Sequence, residues 1–356
     1  NIIDLCPVGA LTSKPFRYKA RTWELIRRPT LAHHDSLGSP LEAHIKQNKV
    51  IRMLPREDEA INECWISDRD RFSYEGLNSE DRLQVPMIKE KGQWKESDWE
   101  TALTLVGEKL KHIIHNDGPE TLGMLISPQS TIEEGILAKK ISNTLKSPHI
   151  DHRIRQSDFS LEHEASPWLG SHIDTVGQFD QYLLIGSNLR NEQPLLASRI
   201  RKSVNHGANL FVINSIDADP LMAVSEKMIQ ASHKLPHALA KVLKSMTELK
   251  GVLKKDIKFI KADIEKIKTD KVSDAIAKHL MKNVFAAKKN NTSILLGQIA
   301  QEHPDYSTIY KLAYEISKLS QANFGVMPTY ANSVGLHAIN VLPEKGGLHA
   351  YAMLEK

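Results

Sequence analysis

Apolar residues recur at steps of three and four after Trp94. Leu103, Val106, Leu110 and Ile113 mark one helix face, and Ser97-Asp98-Trp99-Glu100 ahead of them has capping-box spacing. Thr121 to Ser127 follows as an apolar run of strand length, expected to be a buried strand, and Ile132 to Leu145 reads as helical. Further strands are predicted at Tyr182 to Ile185, Leu210 to Ile213 and Ser293 to Leu296, with helices at Leu195 to Val204 and Thr308 to Leu319. Ile257, Ile260, Ile264 and Ile267 predict an amphipathic helix with a lysine-rich outer face. Strands alternating with helices of this length predict a parallel, doubly wound α/β region.

The chain before Trp94 has a different texture. Residues 1–30 lack periodicity and mix proline, arginine and aromatics, as in Lys14-Pro15-Phe16 and Arg21-Thr22-Trp23. Residues 31–92 predict a small, turn-rich β unit with strands at Glu42 to Ile45 and Lys49 to Leu54. The large α/β region then occupies residues 93–356, and no internal repeat interrupts it.

At 356 residues the chain is too long for one small module, and 41% hydrophobic with 25% charged residues is a globular composition. No apolar run approaches the roughly eighteen residues of a membrane helix. A net charge of +4, spread without an arginine-rich, aromatic-interleaved patch, gives no ground for nucleic-acid binding. Two cysteines exclude a disulfide framework and suggest a reducing compartment. The chain opens Asn1-Ile2-Ile3-Asp4 without a signal-peptide pattern, and the reading is of a piece of a longer polypeptide.

Cys6-Pro7 is the first candidate for chemistry. A cysteine followed by proline ends the bacterial ferredoxin-type cluster motif, with the thiolate on iron; an inert buried thiol is the alternative. Cys64 has no second cysteine nearby and reads as inert. His33, His34 and His44 with Asp35, and His112 with His115, are dense enough to consider for metal, but neither group has zinc spacing. Ile185-Gly186-Ser187-Asn188 is a strand running into a glycine turn before a helix, a junction that presents backbone N–H groups to an anion. No Gly-x-Gly-x-x-Gly or Walker pattern accompanies it, and no Gly-x-Ser-x-Gly elbow frames a serine nucleophile. Acidic pairs such as Glu133-Glu134 lie on a predicted helix face.

The string from Cys6 through Phe16, followed by Arg21-Thr22-Trp23-Glu24-Leu25, closely resembles the large iron–sulfur (75-kDa or G-type) subunits of respiratory complex I, NADH:quinone oxidoreductase. The resemblance continues through Val50 to Arg56, Ile61 to Asp68, Arg71 to Tyr74 and Pro86 to Ile88, and resumes at Ala331 to Gly335 and Val341 to Pro343. It implies that Cys6 is the last ligand of a ferredoxin-type [4Fe–4S] cluster whose other three cysteines lie upstream. Residues 1–30 would end that ferredoxin-type domain. Residues 31–92 would be the cluster-bearing domain of molybdopterin oxidoreductases without its cysteines, whose positions fall on Ala32, Asp35, Ser39 and Ser67. Alanine cannot ligate iron and neutral serine does so poorly, so no second cluster is expected there.

Residues 93–356 would be an incomplete molybdopterin-oxidoreductase-like α/β region. The stretch from Ile150 to Ser171, where those enzymes offer a thiolate to molybdenum, contains no cysteine, so molybdopterin is not expected. The function implied is relay of single electrons from NADH and flavin, held on another subunit, toward quinone, without a substrate-binding role for this subunit. Partners would be the flavin subunit and other peripheral-arm subunits. The place would be the cytoplasmic face of a bacterial inner membrane, or the matrix side of the mitochondrial one, with no membrane span in this chain. The alternatives are a catalytic molybdopterin oxidoreductase, such as a formate dehydrogenase, and a non-redox scaffold.

Overall fold

The computed structural model describes residues 2–161, 167–250, 266–287 and 291–355. The chain starts with a single helical turn, α1 (Ile2–Leu5), and enters a three-stranded antiparallel sheet of β1 (Ile26–Leu31), β2 (Pro40–Lys46) and β3 (Lys49–Pro55), in that order. Gln47 and Asn48, both at positive φ, close the β2–β3 hairpin, the conformation a two-residue turn demands. β1 carries Pro29 and is exposed along its length, as suits an edge strand. Ala32, Leu41 and Ile66 form the small core beneath this sheet. Ser67 then caps the short helix α2 (Asp68–Phe72), its hydroxyl accepting from the Asp70 N–H.

After the hairpin β4 (Met87–Glu90) and β5 (Gln93–Glu96) comes the predicted helix, α3 (Trp99–Asp117). Its cap is Asp98 rather than Ser97: the Asp98 carboxylate accepts from the Thr101 N–H at 2.8 Å, a stronger acceptor than a serine hydroxyl one residue earlier. No residue of α3 is buried, and Trp99, Leu103 and Val106 stand exposed. The expected buried strand at Thr121 to Ser127 is only β6 (Gly123–Leu125), partly exposed, because a single partner, β7 (His149–Asp151), pairs with it. Between them runs α4 (Ile132–Thr144), opened by a capping box of Thr131 and Glu134.

The main sheet is five-stranded and all parallel, ordered β10 (Glu226–Ile229), β9 (Asn209–Asn214), β8 (Gln181–Ile185), β11 (Thr292–Leu296), β12 (Asn323–Val326). Alternate strand residues face opposite layers. Leu183, Ile185, Phe211 and Ile294 pack under α7 (Leu235–Lys250), α8 (Lys271–Phe285) and α10 (Tyr306–Ser320). Tyr182, Leu184, Leu210 and Leu295 pack with α5 (Leu189–Glu192) and α6 (Pro194–Asn205) on the other face. That is the doubly wound architecture expected. Of the predicted isoleucine helix, Ile257, Ile260 and Ile264 lie outside the described residues, while Ile267 packs against the first of these cores. The short α9 (Gln298–Gln301) follows β11, and α11 (Ser333–Ala338) and α12 (Ala350–Glu355) return to α4 and β7, where Leu336 and Val341 cover Ala138 and Ile150.

Candidate functional site

Cys6 sits at the end of α1, its N–H donating to the Ile2 carbonyl at 3.0 Å. The chain then turns back over the sulfur. The Leu11 N–H contributes most to holding the half-buried thiol below its ordinary value; burial opposes this, and the Val8, Ala10 and Gly9 N–H groups add to it. Backbone N–H groups near a sulfur favour thiolate over thiol. Gly9, at φ +66°, provides the left-handed residue that curls the loop.

Cys6 faces a cavity of about 430 Å³ shared with Phe16, Arg52, Arg71 and Tyr74. Thus the segment around Cys6 and the motifs Val50 to Arg56 and Arg71 to Tyr74, far apart in sequence, surround one space. Arg71 is buried and holds both carboxylate oxygens of Asp4, one at 3.1 Å and the other closer. The bidentate pair fixes α1 against α2. Arg52, on β3, lies over the Phe16 ring at 4.1 Å from its centroid, and its Nε donates to Nδ1 of His44 at 2.8 Å. Buried His44 turns Nε2 to Glu42 at 2.6 Å; burial pushes the imidazole down, against the pull of that carboxylate. Sequence reasoning gives these two arginines no role, since Arg71 meets Asp4 across 67 residues and no local spacing announces the contact.

Ala32, Asp35, Ser39 and Ser67 are all buried on the small β unit. They offer no thiolate, and polar contacts join this interior: Ser67 donates to Asp70 at 2.6 Å, and Asp70 in turn holds Nδ1 of His34 at 2.9 Å. One oxygen of Asp35 accepts from the Leu37 N–H at 3.1 Å, while the other and the Ser39 hydroxyl have no partner among the described residues. Burial, with the Asp70 carboxylate adding to it, pushes Asp35 up to about 6. Among the described residues no group of three or more histidine, cysteine and carboxylate side chains is placed to hold a metal ion. Cys64 is exposed, and the His112 ring meets the side chain of Asn116, one turn along the same helix.

Asp35 has a measurable consequence. A carboxyl raised in the folded state binds its proton more tightly there than when unfolded. The protein is therefore stabilised below pH ~4, and that contribution is lost as pH rises to about 6. Asp35→Asn is expected to flatten the change in unfolding free energy between pH 4 and pH 7 by about 2–3 kcal/mol. Urea titrations at both pH values check this, and a variant with the parental slope contradicts it.

The Ile185 to Pro194 loop lies at the sheet's switch point, where strand order reverses between β8 and β11 and such folds place ligands. Here the crevice is closed from within. A Cβ on Gly297 would meet the Ser187 Cβ at 2.2 Å, and one on Gly186 would meet the Ala300 nitrogen at 2.6 Å. The Glu192 carboxylate takes the donors a phosphate would use: the Asn188 N–H at 2.5 Å, the Ser187 hydroxyl at 2.9 Å and the Gln298 N–H at 3.1 Å. A cavity of about 600 Å³ opens beside it, bordered by Arg190 and by Lys227, the latter paired with Asp217 at 2.8 Å. The space by His152 and Tyr306, in the region where a molybdenum thiolate would stand, measures only about 80 Å³. The loop donors that would meet a nucleotide's phosphates are thus taken by Glu192.

Comparison with known proteins agrees with the motif resemblance. The family described as molybdopterin oxidoreductase matches residues 82–356, and the NADH-ubiquinone oxidoreductase NDSU1/NuoG-like 4Fe-4S domain matches residues 30–75. The chain is 36% identical over 210 residues to the G-type subunit of the NADH-quinone oxidoreductase of Rickettsia felis, covering 58% of this chain and 30% of that protein. It is also 36% identical over 224 residues to the NADH-ubiquinone oxidoreductase 75 kDa subunit of Reclinomonas americana, covering 58% and 31%. It therefore spans under a third of the length of these curated relatives. The fold is similar to that of acetylene hydratase from Pelobacter acetylenicus, with a TM-score of 0.62 and 17% identity, covering 82% of this chain and 43% of that one.

Proposed function

The chain belongs to the molybdopterin oxidoreductase family, and from that premise we propose that it is part of the large iron–sulfur subunit of an NADH:quinone oxidoreductase. The carrying observation is Cys6: a partly exposed thiol facing a cavity bordered by two guanidinium groups, with backbone amides that favour its thiolate. Cys6 would supply one ligand of a [4Fe–4S] cluster, and cysteines upstream of this chain would supply the other three. Such a cluster takes up and gives up single electrons. The residues around it would hold the thiolate, exclude water and offset negative charge. The α/β region would brace the assembly without molybdopterin, which the Glu192 carboxylate at the switch point supports.

The electrons would come from NADH through a flavin on another subunit and pass toward quinone. The flavin subunit and other peripheral-arm subunits would be the partners. No described helix is long and apolar enough to cross a membrane, so attachment would be peripheral, on the cytoplasmic face of a bacterial inner membrane or the mitochondrial matrix face.

Iron and molybdenum content of the anaerobically purified full-length parent tests this reading. Iron without molybdenum is expected. Stoichiometric molybdenum would replace the relay with a catalytic oxidoreductase, and absence of both metals would leave a scaffold.

A further inference from the structure

The two guanidinium groups facing the Cys6 cavity are held differently. Buried Arg71 is neutralised by the carboxylate of Asp4, which meets it with both oxygens. Arg52 is oriented but not neutralised. Its face lies on Phe16, 4.1 Å from the ring centroid, and its Nε donates to Nδ1 of His44 at 2.8 Å. No carboxylate pairs with it among the described residues. Because His44 accepts at Nδ1, its Nε2 carries the hydrogen donated to Glu42, 2.6 Å away. The Glu42 carboxylate behind Arg52 is thus separated from it by an imidazole ring, and Asp4, the other carboxylate acting on it, is spent on Arg71. Three side chains fix where the guanidinium stands and leave its positive charge to the cavity.

We propose that Arg52 raises the reduction potential of the iron–sulfur centre held at Cys6, acting as a positioning charge rather than as a ligand. The inference rests on the relay reading above. Reducing such a centre by one electron adds one negative charge. A fixed cation bordering the same partly enclosed space stabilises the reduced form, and salt screens it less there than at an open surface. Arg71 contributes less, since Asp4 cancels its charge at contact distance.

The test is a redox titration of the full-length parent in its complex, followed by electron paramagnetic resonance, with Cys6→Ser identifying the signal that belongs to this site. In Arg52→Met that signal is expected to persist, with the reduced-to-oxidised ratio at the native midpoint about tenfold lower, a shift of about 59 mV to more negative potential for one electron. Arg52→Lys keeps the charge without the stacked fork and is expected to restore most of the potential. An unchanged midpoint in Arg52→Met overturns the proposal, as does Arg52→Lys behaving like Arg52→Met. Should Arg52→Met lose the signal, Arg52→Gln is read by the same criterion, and loss from both Arg52→Gln and Arg52→Lys makes Arg52 a folding residue and overturns it. If Cys6→Ser spares every signal, the relay reading itself falls and Arg52 falls with it.

Discussion

Cys6→Ser in the full-length parent is expected to abolish one iron–sulfur signal entirely and to lower iron content by that cluster's share, while the other clusters persist. The size of the effect follows from ligand chemistry. A serine hydroxyl fills the same space, and the Leu11, Val8, Ala10 and Gly9 amides can still point at its oxygen. A neutral hydroxyl, however, is a poor partner for iron, and the soft, readily ionised sulfur is lost. The fold is expected to survive. Cys6 is only half-buried, its loop is exposed at Val8 and Leu11, and α1 is fixed through Asp4 and Arg71 rather than through the thiol. Far-ultraviolet circular dichroism and the thermal midpoint should therefore stay near the parental values. Undiminished iron with every signal intact would remove Cys6 from the ligand set.

What the sequence makes legible divides along a physical line. Strands buried on both faces are continuous apolar runs, and so Tyr182 to Ile185, Leu210 to Ile213 and Ser293 to Leu296 appear where the central strands β8, β9 and β11 stand. The edge strands leave no such mark. β10 reads Glu-Lys-Met-Ile, β12 contains Gly325, and β1 holds Pro29 between arginines and threonine; each is pairing imposed by a neighbour rather than by its own pattern. The cap of α3 falls one residue from its expected place because Ser97 and Asp98 are both good caps and only geometry chooses between them.

At the proposed site, Cys6 stands out as a candidate because Cys-Pro and the motif around it are local. Its surroundings do not. Arg52 borders its cavity from β3 and Arg71 from α2, each placed by tertiary packing that no periodicity encodes. The loop at Gly186 teaches the reverse. Its sequence suggests an anion site, and the structure does put an anion there, but the anion is the chain's own Glu192. Burial pushes that carboxyl up, against the three donors that favour its charged form. A loop able to receive a phosphate and a loop already filled by a carboxylate look alike until the partner four or five residues downstream is located in space.

Asp151→Ala is expected to destabilise the protein by about 3–5 kcal/mol, the cost of leaving the other half of a buried ion pair unmatched. Asp151 ends β7 fully buried, and its two oxygens accept from Arg153 Nε at 2.9 Å and Nη2 at 3.0 Å. The backbone N–H groups of His152, at 2.7 Å, and Ala350, at 3.0 Å, donate to it as well. Burial pushes the carboxyl up, but the Arg153 guanidinium and the Ala350 and Arg153 backbone N–H groups outweigh it and hold Asp151 below the ordinary carboxylate value. The sign follows: the contribution is fully present above pH ~4 and is lost only as pH falls further, through the folded-state value. The network also explains where the damage should appear first. Arg153 lies over Phe159, Phe159 stacks on His349 with centroids 3.9 Å apart, and the Leu348 N–H donates to His149. Asp151 thus anchors residues 348–350, and with them α12, to β7. In Asp151→Ala, limited proteolysis should cut within residues 343–355 before it reaches the five-stranded sheet, and the urea midpoint at pH 7 should fall. At pH ~2.5, with the carboxyl moving toward protonation, the difference between variant and parent should shrink. A variant as stable as the parent at pH 7, or one cleaved first in the large sheet, would place the anchor elsewhere.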